Sequence, residues 1–168
     1  MGATRDYFIC SVAGQRLAVV ADAVSTVLPM LPLWRTPTLP DAVAGFADAR
    51  GEVLPVLATA IVLGWADAID AVDGFSHILC PVGASPTRPW LLIDRVEERR
   101  SVELDAIAPV DPTNSMNGVA IGEIADDNGV AHVIDLDRLL DRFERERLEQ
   151  MTEMARRRAD RWAEPASA

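Results

Sequence analysis

The sequence contains no lysine, only two histidines and two cysteines, and no long hydrophobic run. No window approaches the roughly 20 consecutive apolar residues that a membrane helix needs, so direct membrane insertion is not expected. The segment Met1 to Asp6 lacks the apolar core of a secretory signal, and we therefore predict a soluble, cytoplasmic protein. Because lysine is absent, the phosphate-binding loop Gly-x-x-x-x-Gly-Lys cannot occur, and Gly-x-Gly-x-x-Gly does not occur either.

The few soft ligands are poorly placed for a metal site. His77 and Cys80 have a suggestive spacing, but alternation along a strand points their side chains to opposite faces. With His132 and Cys10 as the remaining candidates, we predict no metal and no cofactor. Both cysteines lie in apolar, strand-like runs without an export signal, which indicates free buried thiols and not a disulfide.

Catalytic motifs are also missing. A Ser-His-Asp site would need His77 or His132, yet no Gly-x-Ser-x-Gly elbow is present. We therefore predict that the protein is not an enzyme. A small β-barrel enzyme or ligand-binding module of unknown substrate is the alternative interpretation.

Charge is distributed unevenly along the chain. Residues 1–136 carry 18 acidic and 8 basic side chains, whereas residues 137–162 carry 7 acidic and 8 basic ones, within a net charge of −10. An acidic body repels the phosphate backbone, so nucleic-acid binding is not expected.

Short apolar segments separated by turn signals predict a mainly β fold. Such spacing is typical of small antiparallel barrels and not of a parallel α/β sheet. The predicted strands cover residues 7–13, 16–20, 53–57, 77–82, 90–94, 96–104 and 130–134. Residues 21–28 fit a helical turn or an extended strand, and residues 59–63 a short helix or a strand. The acidic, Ala-rich connector 66–74 is the predicted internal boundary.

The stretch from Gly45 to Leu57 organises the first half of the chain. Arg50-Gly51 predicts a hairpin tip, because glycine relieves the steric cost of a tight reversal. A buried strand follows, in which Pro55 cannot donate a ladder hydrogen bond, so the strand should lie at an edge or beside a bulge.

This stretch resembles the Gly-x-x-x-x-Arg-Gly-x-x-x-Pro-Val core of CheW-like domains, the adaptor modules of bacterial chemosensory arrays. The resemblance extends over residues 5–142 through Leu91-Leu-Ile-Asp-Arg-Val96, Met116-Asn-Gly-Val-Ala120 and Ile134-Asp-Leu-Asp-Arg-Leu-Leu140. It implies two SH3-like five-stranded β-barrels, the first over about 5–65 and the second over about 75–136.

The resemblance also implies a function. It suggests an adaptor that couples the cytoplasmic tips of methyl-accepting chemoreceptors to the regulatory domain of a CheA-type histidine kinase, recruited to membrane-associated receptor arrays. Other CheW-like proteins are further candidate partners. The implied hairpin residues are Gly51 and Pro55, and the implied protein-binding residues are Val24, Thr26, Val27, Leu33, Trp34, Gly45 and Arg50.

Some of these positions carry alternatives. Arg50 either contacts a partner or braces the hairpin by bonding carbonyl groups, since a guanidinium suits both roles. Val24 and Val27 fit a receptor groove or the core, and Leu33 with Trp34 fits an exposed anchor or a cover over the barrel. Thr26 stands where the family commonly has glutamate, Asp48 where it usually has asparagine, and Ala58 where an aspartate follows the Pro-Val strand.

Residues 137–162 contain neither glycine nor proline and predict an amphipathic C-terminal helix. We expect Leu139, Leu140 and Phe143 to dock against a barrel. Beyond Gln150 the apolar residues become sparse and arginine accumulates, so we predict that this part frays unless a partner covers it.

Overall fold

Ten β-strands and two α-helices form the part of the chain that the computed structural model describes, namely residues 2–68, 75–116 and 118–163. The strands are β1 (Thr4–Val12), β2 (Gln15–Val20), β3 (Val24–Pro29), β4 (Val43–Ala49), β5 (Glu52–Ala58), β6 (His77–Pro81), β7 (Trp90–Ile93), β8 (Arg95–Glu103), β9 (Ala120–Asp126) and β10 (Gly129–Ile134). The helices are α1 (Thr59–Val62) and α2 (Arg142–Trp162), with short 3-10 turns at Ala21–Ala23, Leu104–Ala106, Pro112–Asn114 and Leu136–Arg138.

The strands form two five-stranded sheets. Sheet A has the order β8-β1-β2-β10-β9, and sheet B has the order β3-β6-β7-β5-β4. The predicted mainly β fold with two five-stranded units and a C-terminal helix is confirmed.

The sheets exchange strands between the two halves of the chain. The β1–β2 hairpin joins β10 through a parallel pairing in which His132 lies opposite Leu17. In sheet B the matching parallel pairing brings Trp90 of β7 opposite Val56 of β5. Each sheet therefore combines a hairpin from one half with three strands from the other, and the boundaries 5–65 and 75–136 do not delimit the two sheets. Strand periodicity identifies the strands but does not specify their partners.

A single bridge marks the seam of each sheet. After β3 the chain pairs Trp34 with Phe46 of β4, and after β8 it pairs Ala108 with Glu123 of β9. Each sheet is thus curved, with its two edges brought toward each other, but among the described residues it is not a fully hydrogen-bonded barrel. The repetition of this seam shows that the fold is built twice on one plan.

Three main apolar cores lie among the described residues, apart from a smaller cluster between α2 and sheet B. Each sheet has an apolar interior, centred on Ile9 and Ala131 in sheet A and on Val56 and Ile78 in sheet B. A larger shared core joins residues of both sheets to α2 through Leu148. Burial of this apolar surface, at about 25 cal/mol per Å², is what holds the two sheets together.

The structure decides between the alternatives predicted for residues 21–28, residues 59–63 and Pro55. Residues 21–28 form a 3-10 turn followed by β3, and residues 59–62 form α1. Pro55 does not lie on an edge strand, because β5 is flanked by β7 and β4. Its missing N–H is tolerated since pairing with β7 begins at Val56 and a bulge lies beside it in β4. Of the predicted connector 66–74, residues 69–74 lie outside the described residues.

Both cysteines are free and buried, as predicted. Burial raises the pKa of the Cys10 thiol to about 12, with a contribution from nearby Glu97, and raises that of Cys80 to about 11. Both thiols are therefore protonated at neutral pH and are poor nucleophiles and poor metal ligands.

The C-terminal helix packs on sheet B well beyond Gln150, which contradicts the prediction of a frayed outer segment. Thr152 is 3% exposed and Ala155 is 1% exposed, and Ala155 forms a cluster with Phe46 and Val53. The small side chains of this face allow close approach to the sheet. Leu139 and Leu140 are buried as expected, whereas Phe143 is 69% exposed and does not dock.

Candidate protein-interaction site

Leu33, Trp34 and Gly45 meet where the chain after β3 crosses β4. The backbone of Trp34 donates to the carbonyl of Phe46 over 3.0 Å, and the amide of Phe46 donates back to the carbonyl of Trp34 over 2.9 Å. A Cβ on Gly45 would lie 2.9 Å from the Trp34 oxygen and 3.0 Å from the Leu33 Cβ. Glycine is therefore required for this close crossing, and the φ of +157° at Gly45 adds to the requirement.

Arg35 braces the crossing. Its Nη1 donates to the carbonyls of Ala44, at 2.9 Å, and of Val43, at 3.2 Å. These carbonyls lie at the bulge that separates Val43 from Gly45 in the pairing with β5. The carbonyl-bracing role considered for Arg50 thus belongs to Arg35, which the sequence interpretation missed because nothing in an isolated arginine indicates which carbonyls it will meet.

Arg50 and Gly51 form the two-residue tip of the β4–β5 hairpin. Both have left-handed backbone angles, with φ of +55° and +86°. The Oδ1 atom of Asp48 accepts a hydrogen bond from the Gly51 amide at 2.7 Å, so an aspartate fixes the reversal. Arg50 is exposed and makes no hydrogen bond or ion pair within the described part of the chain, which leaves its guanidinium available to a partner.

Val24, Thr26 and Val27 lie on β3, an edge strand of sheet B. Thr26 is exposed, whereas both valines are half-buried, and Val24 packs against the shared core. An edge strand presents backbone N–H and C=O groups that another chain can pair with. The strand therefore offers backbone donors and acceptors more than apolar side chains.

The predicted residues form three separate features, not one patch. Leu33, Trp34 and Gly45 form the crossing at the β4 edge, the three β3 residues lie on the opposite edge, and Arg50 projects at a hairpin tip. Trp34 contacts Phe46 with ring centroids 6.3 Å apart and is partly covered by the cluster that includes Ala155. The cover interpretation of Trp34 thus fits the structure better than a fully exposed anchor.

The described residues include His77 and His132, the two histidines that a catalytic site would need. No group of three or more His, Cys, Asp or Glu side chains among them could hold a metal ion. His77 Nδ1 lies 3.3 Å from the Asp94 carbonyl, and His132 lies against Trp65 with centroids 6.0 Å apart. None of the described helices is both long and apolar enough to cross a membrane.

Comparison with known proteins identifies the family. The family model of the CheW-like domain matches residues 6–144. The chain belongs to the CheW-like domain family.

The fold of this CheW-like chain agrees with that assignment. The crystal structure of the scaffolding protein TtCheW from Thermoanaerobacter tengcongensis superposes with a TM-score of 0.71 over 84% of this chain and 90% of that one, at 19% sequence identity. A search of curated protein sequences finds no match. Membership of this family supports a coupling role in chemotaxis signalling.

Proposed function

We propose that this protein is a signalling adaptor that couples methyl-accepting chemoreceptors to a CheA-type histidine kinase. The observation that carries the proposal is the match of the CheW-like domain over residues 6–144. The adaptor acts in the cytoplasm, where it joins membrane-associated arrays by binding the receptor tips. It has no catalytic step, and its output is the geometry in which it holds its two partners.

Three features of the structure suit this role. The β3 edge offers backbone pairing to a partner strand, with Thr26 as its exposed side chain. The hairpin tip presents Arg50, which suits an acidic partner surface. These two features lie on a rigid framework because the crossing at Gly45 ties both edges of sheet B together.

The test is titration of the protein with the regulatory domain of the cognate kinase and, separately, with a receptor-tip fragment. Transient signalling interfaces of modest area lead us to expect dissociation constants of roughly micromolar order. Thr26→Arg and Arg50→Glu should each weaken binding of at least one partner by about tenfold, or roughly 1.4 kcal/mol. Thr4→Arg and Arg95→Glu make the same charge changes at exposed positions of sheet A and serve as matched controls.

Thermal melts accompany the titrations. Arg50→Glu should leave the melting temperature nearly unchanged, since the Arg50 side chain forms no hydrogen bond or ion pair with other described residues. Absence of binding to both partners at several hundred micromolar would remove the adaptor proposal. Equal losses in the site variants and the controls would remove the assignment of Thr26 and Arg50.

A further inference from the structure

A groove runs between α2 and the Pro-rich segment before β4. One wall is Thr36–Leu39, and the other is the face of α2 from Arg147 to Trp162. We call it the helix–loop groove. The adaptor proposal makes no use of it.

The groove has an apolar floor and a basic rim. Leu39 and Met151 are partly buried at its base, where each packs against the cluster that contains Ala155, while Met154 and Trp162 remain 70% and 82% exposed. Four arginines and no carboxylate occur among the described residues that line it. This is a marked local excess of positive charge in a chain whose net charge is −10.

Most of the arginine side chains that line the groove are available to pair with a ligand. Arg157 pairs with Glu153, but Arg147, Arg158 and Arg161 form no ion pair with other described residues. At 3.6 residues per turn, Arg147, Met154, Arg158 and Arg161 lie along one stripe, which spans about 21 Å at 1.5 Å per residue. Unpaired arginines that flank exposed methionine and tryptophan form a surface that loses apolar exposure and gains charge pairs when an acidic apolar segment covers it.

We propose that the helix–loop groove binds an acidic amphipathic helix of about 14 residues from a partner protein. Its apolar face would contact Met151, Met154 and Trp162, and its carboxylates would pair with the free arginines. The length follows from the 1.5 Å rise per residue over the stripe, and the recognition is that of a helix in a groove, with anchors at i, i+3 or i+4, and i+7. None of the residues that line the groove lies on β3 or at the hairpin tip Arg50–Gly51, so the inference does not depend on the adaptor function.

The probe is a fluorescein-labelled synthetic peptide with leucine at positions i, i+3, i+4 and i+7 and glutamate between them, titrated with the full-length protein by fluorescence anisotropy. We expect saturable binding that weakens at least fivefold between 50 and 300 mM salt, about the range over which screening becomes effective. Two comparison probes are a scrambled peptide of equal composition and polyglutamate. Equal binding of either comparison probe, or no saturation by the amphipathic peptide at millimolar concentration, overturns the proposal.

Charge-reversal variants distinguish binding at the groove from non-specific attraction to positive charge. Arg158→Glu/Arg161→Glu should weaken peptide binding at least tenfold, whereas the matched pair Arg5→Glu/Arg95→Glu, at exposed positions of sheet A, should change it no more than twofold. Equal losses in the two pairs would contradict the assignment. Met154→Gln should weaken binding at least threefold and keeps the test valid if the double variant fails to fold, because Met154 is 70% exposed.

Two further measurements exclude other occupants. If phosphatidylserine vesicles sediment with the protein through the same arginines while the peptide does not bind, the groove contacts membranes and the proposal is wrong. If sedimentation velocity shows a dimer that Arg158→Glu/Arg161→Glu dissociates and the peptide does not displace, the occupant is a second copy, and the proposal is again wrong.

Discussion

At the scale of single residues, Gly45 is a position at which an added side chain would meet the neighbouring backbone. Its missing side chain lets the chain after β3 pass over the bulge of β4 and form the Trp34–Phe46 bridge. Gly122 has the same place in sheet A, where an added Cβ would lie 2.6 Å from Ile107 Cγ2. Two glycines thus permit the two seams that curve the sheets.

We predict that Gly45→Ala destabilises the protein much more than Gly51→Ala does. Both glycines have positive φ, but only Gly45 would meet neighbouring atoms, at 2.9 and 3.0 Å, whereas nothing lies within 4 Å of a Cβ at Gly51. The expected loss in unfolding free energy is about 2–4 kcal/mol for Gly45→Ala and about 1 kcal/mol for Gly51→Ala. Urea unfolding measures both, and equal losses would show that close approach contributes nothing.

The resemblance singles out Gly45, Arg50 and Gly51 from the sequence alone. It does not indicate which neighbouring residues fix the hairpin and which brace the bulge. Asp48 fixes the hairpin and Arg35 braces the bulge, while Arg50 does neither. Such roles depend on which carbonyls and amides come within about 3 Å after folding, and a residue's type does not encode that distance.

At the scale of elements, α2 is the part whose behaviour sequence reasoning predicted least well. Its start is clear, because Asp141 and Glu144 form a reciprocal capping box. Its buried face is harder to recognise in the sequence, because that face includes Thr152 and Ala155 in place of large apolar residues. The Thr152 hydroxyl donates to the Leu148 carbonyl at 2.7 Å, which makes a polar residue compatible with burial.

We predict that truncation after Gln150 lowers the unfolding free energy by about 3 kcal/mol or more. It would remove Met151 and Ala155 and expose Phe46 and Val53, at about 25 cal/mol per Å² of apolar surface. A chain that ends at Ala163 retains all of α2 and is the matched control. Amide exchange should show strong protection at 152–155 in the control, and an unchanged melting temperature in the truncated chain would contradict the packing.

At the scale of the whole molecule, the chain builds one plan twice and exchanges strands between the copies. Strand positions could be predicted because alternation and turn residues are local signals. The exchange could not, since the β2–β10 and β5–β7 pairings join residues distant in sequence. The resemblance predicted the two five-stranded units, whereas each sheet takes strands from both sides of the sequential boundaries 5–65 and 75–136.

An ion-pair network joins distant parts of the chain in sheet A. Asp126 of β9 accepts hydrogen bonds at 2.8 Å from both Nη atoms of Arg16 on β2 and one at 2.7 Å from Arg100 on β8. The side chains of Arg16 and Asp126 are only 10% and 12% exposed. Since β8 and β9 are the two edges of sheet A, the network ties its edges across the seam.

We predict that Asp126→Asn destabilises the protein at neutral pH and that the difference narrows in acid. Hydrogen bonds from Arg16, and further ones from Arg100 and the Asn128 amide, hold the pKa of Asp126 well below its usual range, although burial opposes the shift. A depressed folded-state pKa contributes stability that is complete above the unfolded value of about 4 and is lost as the pH falls from there toward the folded value. The difference in melting temperature between the two proteins should therefore be constant from pH 7 to about pH 4 and should decrease from there to pH 2.5.

Asp6→Asn is the control. Hydrogen bonds from Ser101 and Arg99 lower the pKa of Asp6, but its side chain is 40% exposed. The difference in melting temperature for Asp6→Asn should therefore be smaller, and added salt should reduce it. A gap for Asp126→Asn that stays constant across the whole pH range would show that shape, and not the carboxylate charge, holds the seam.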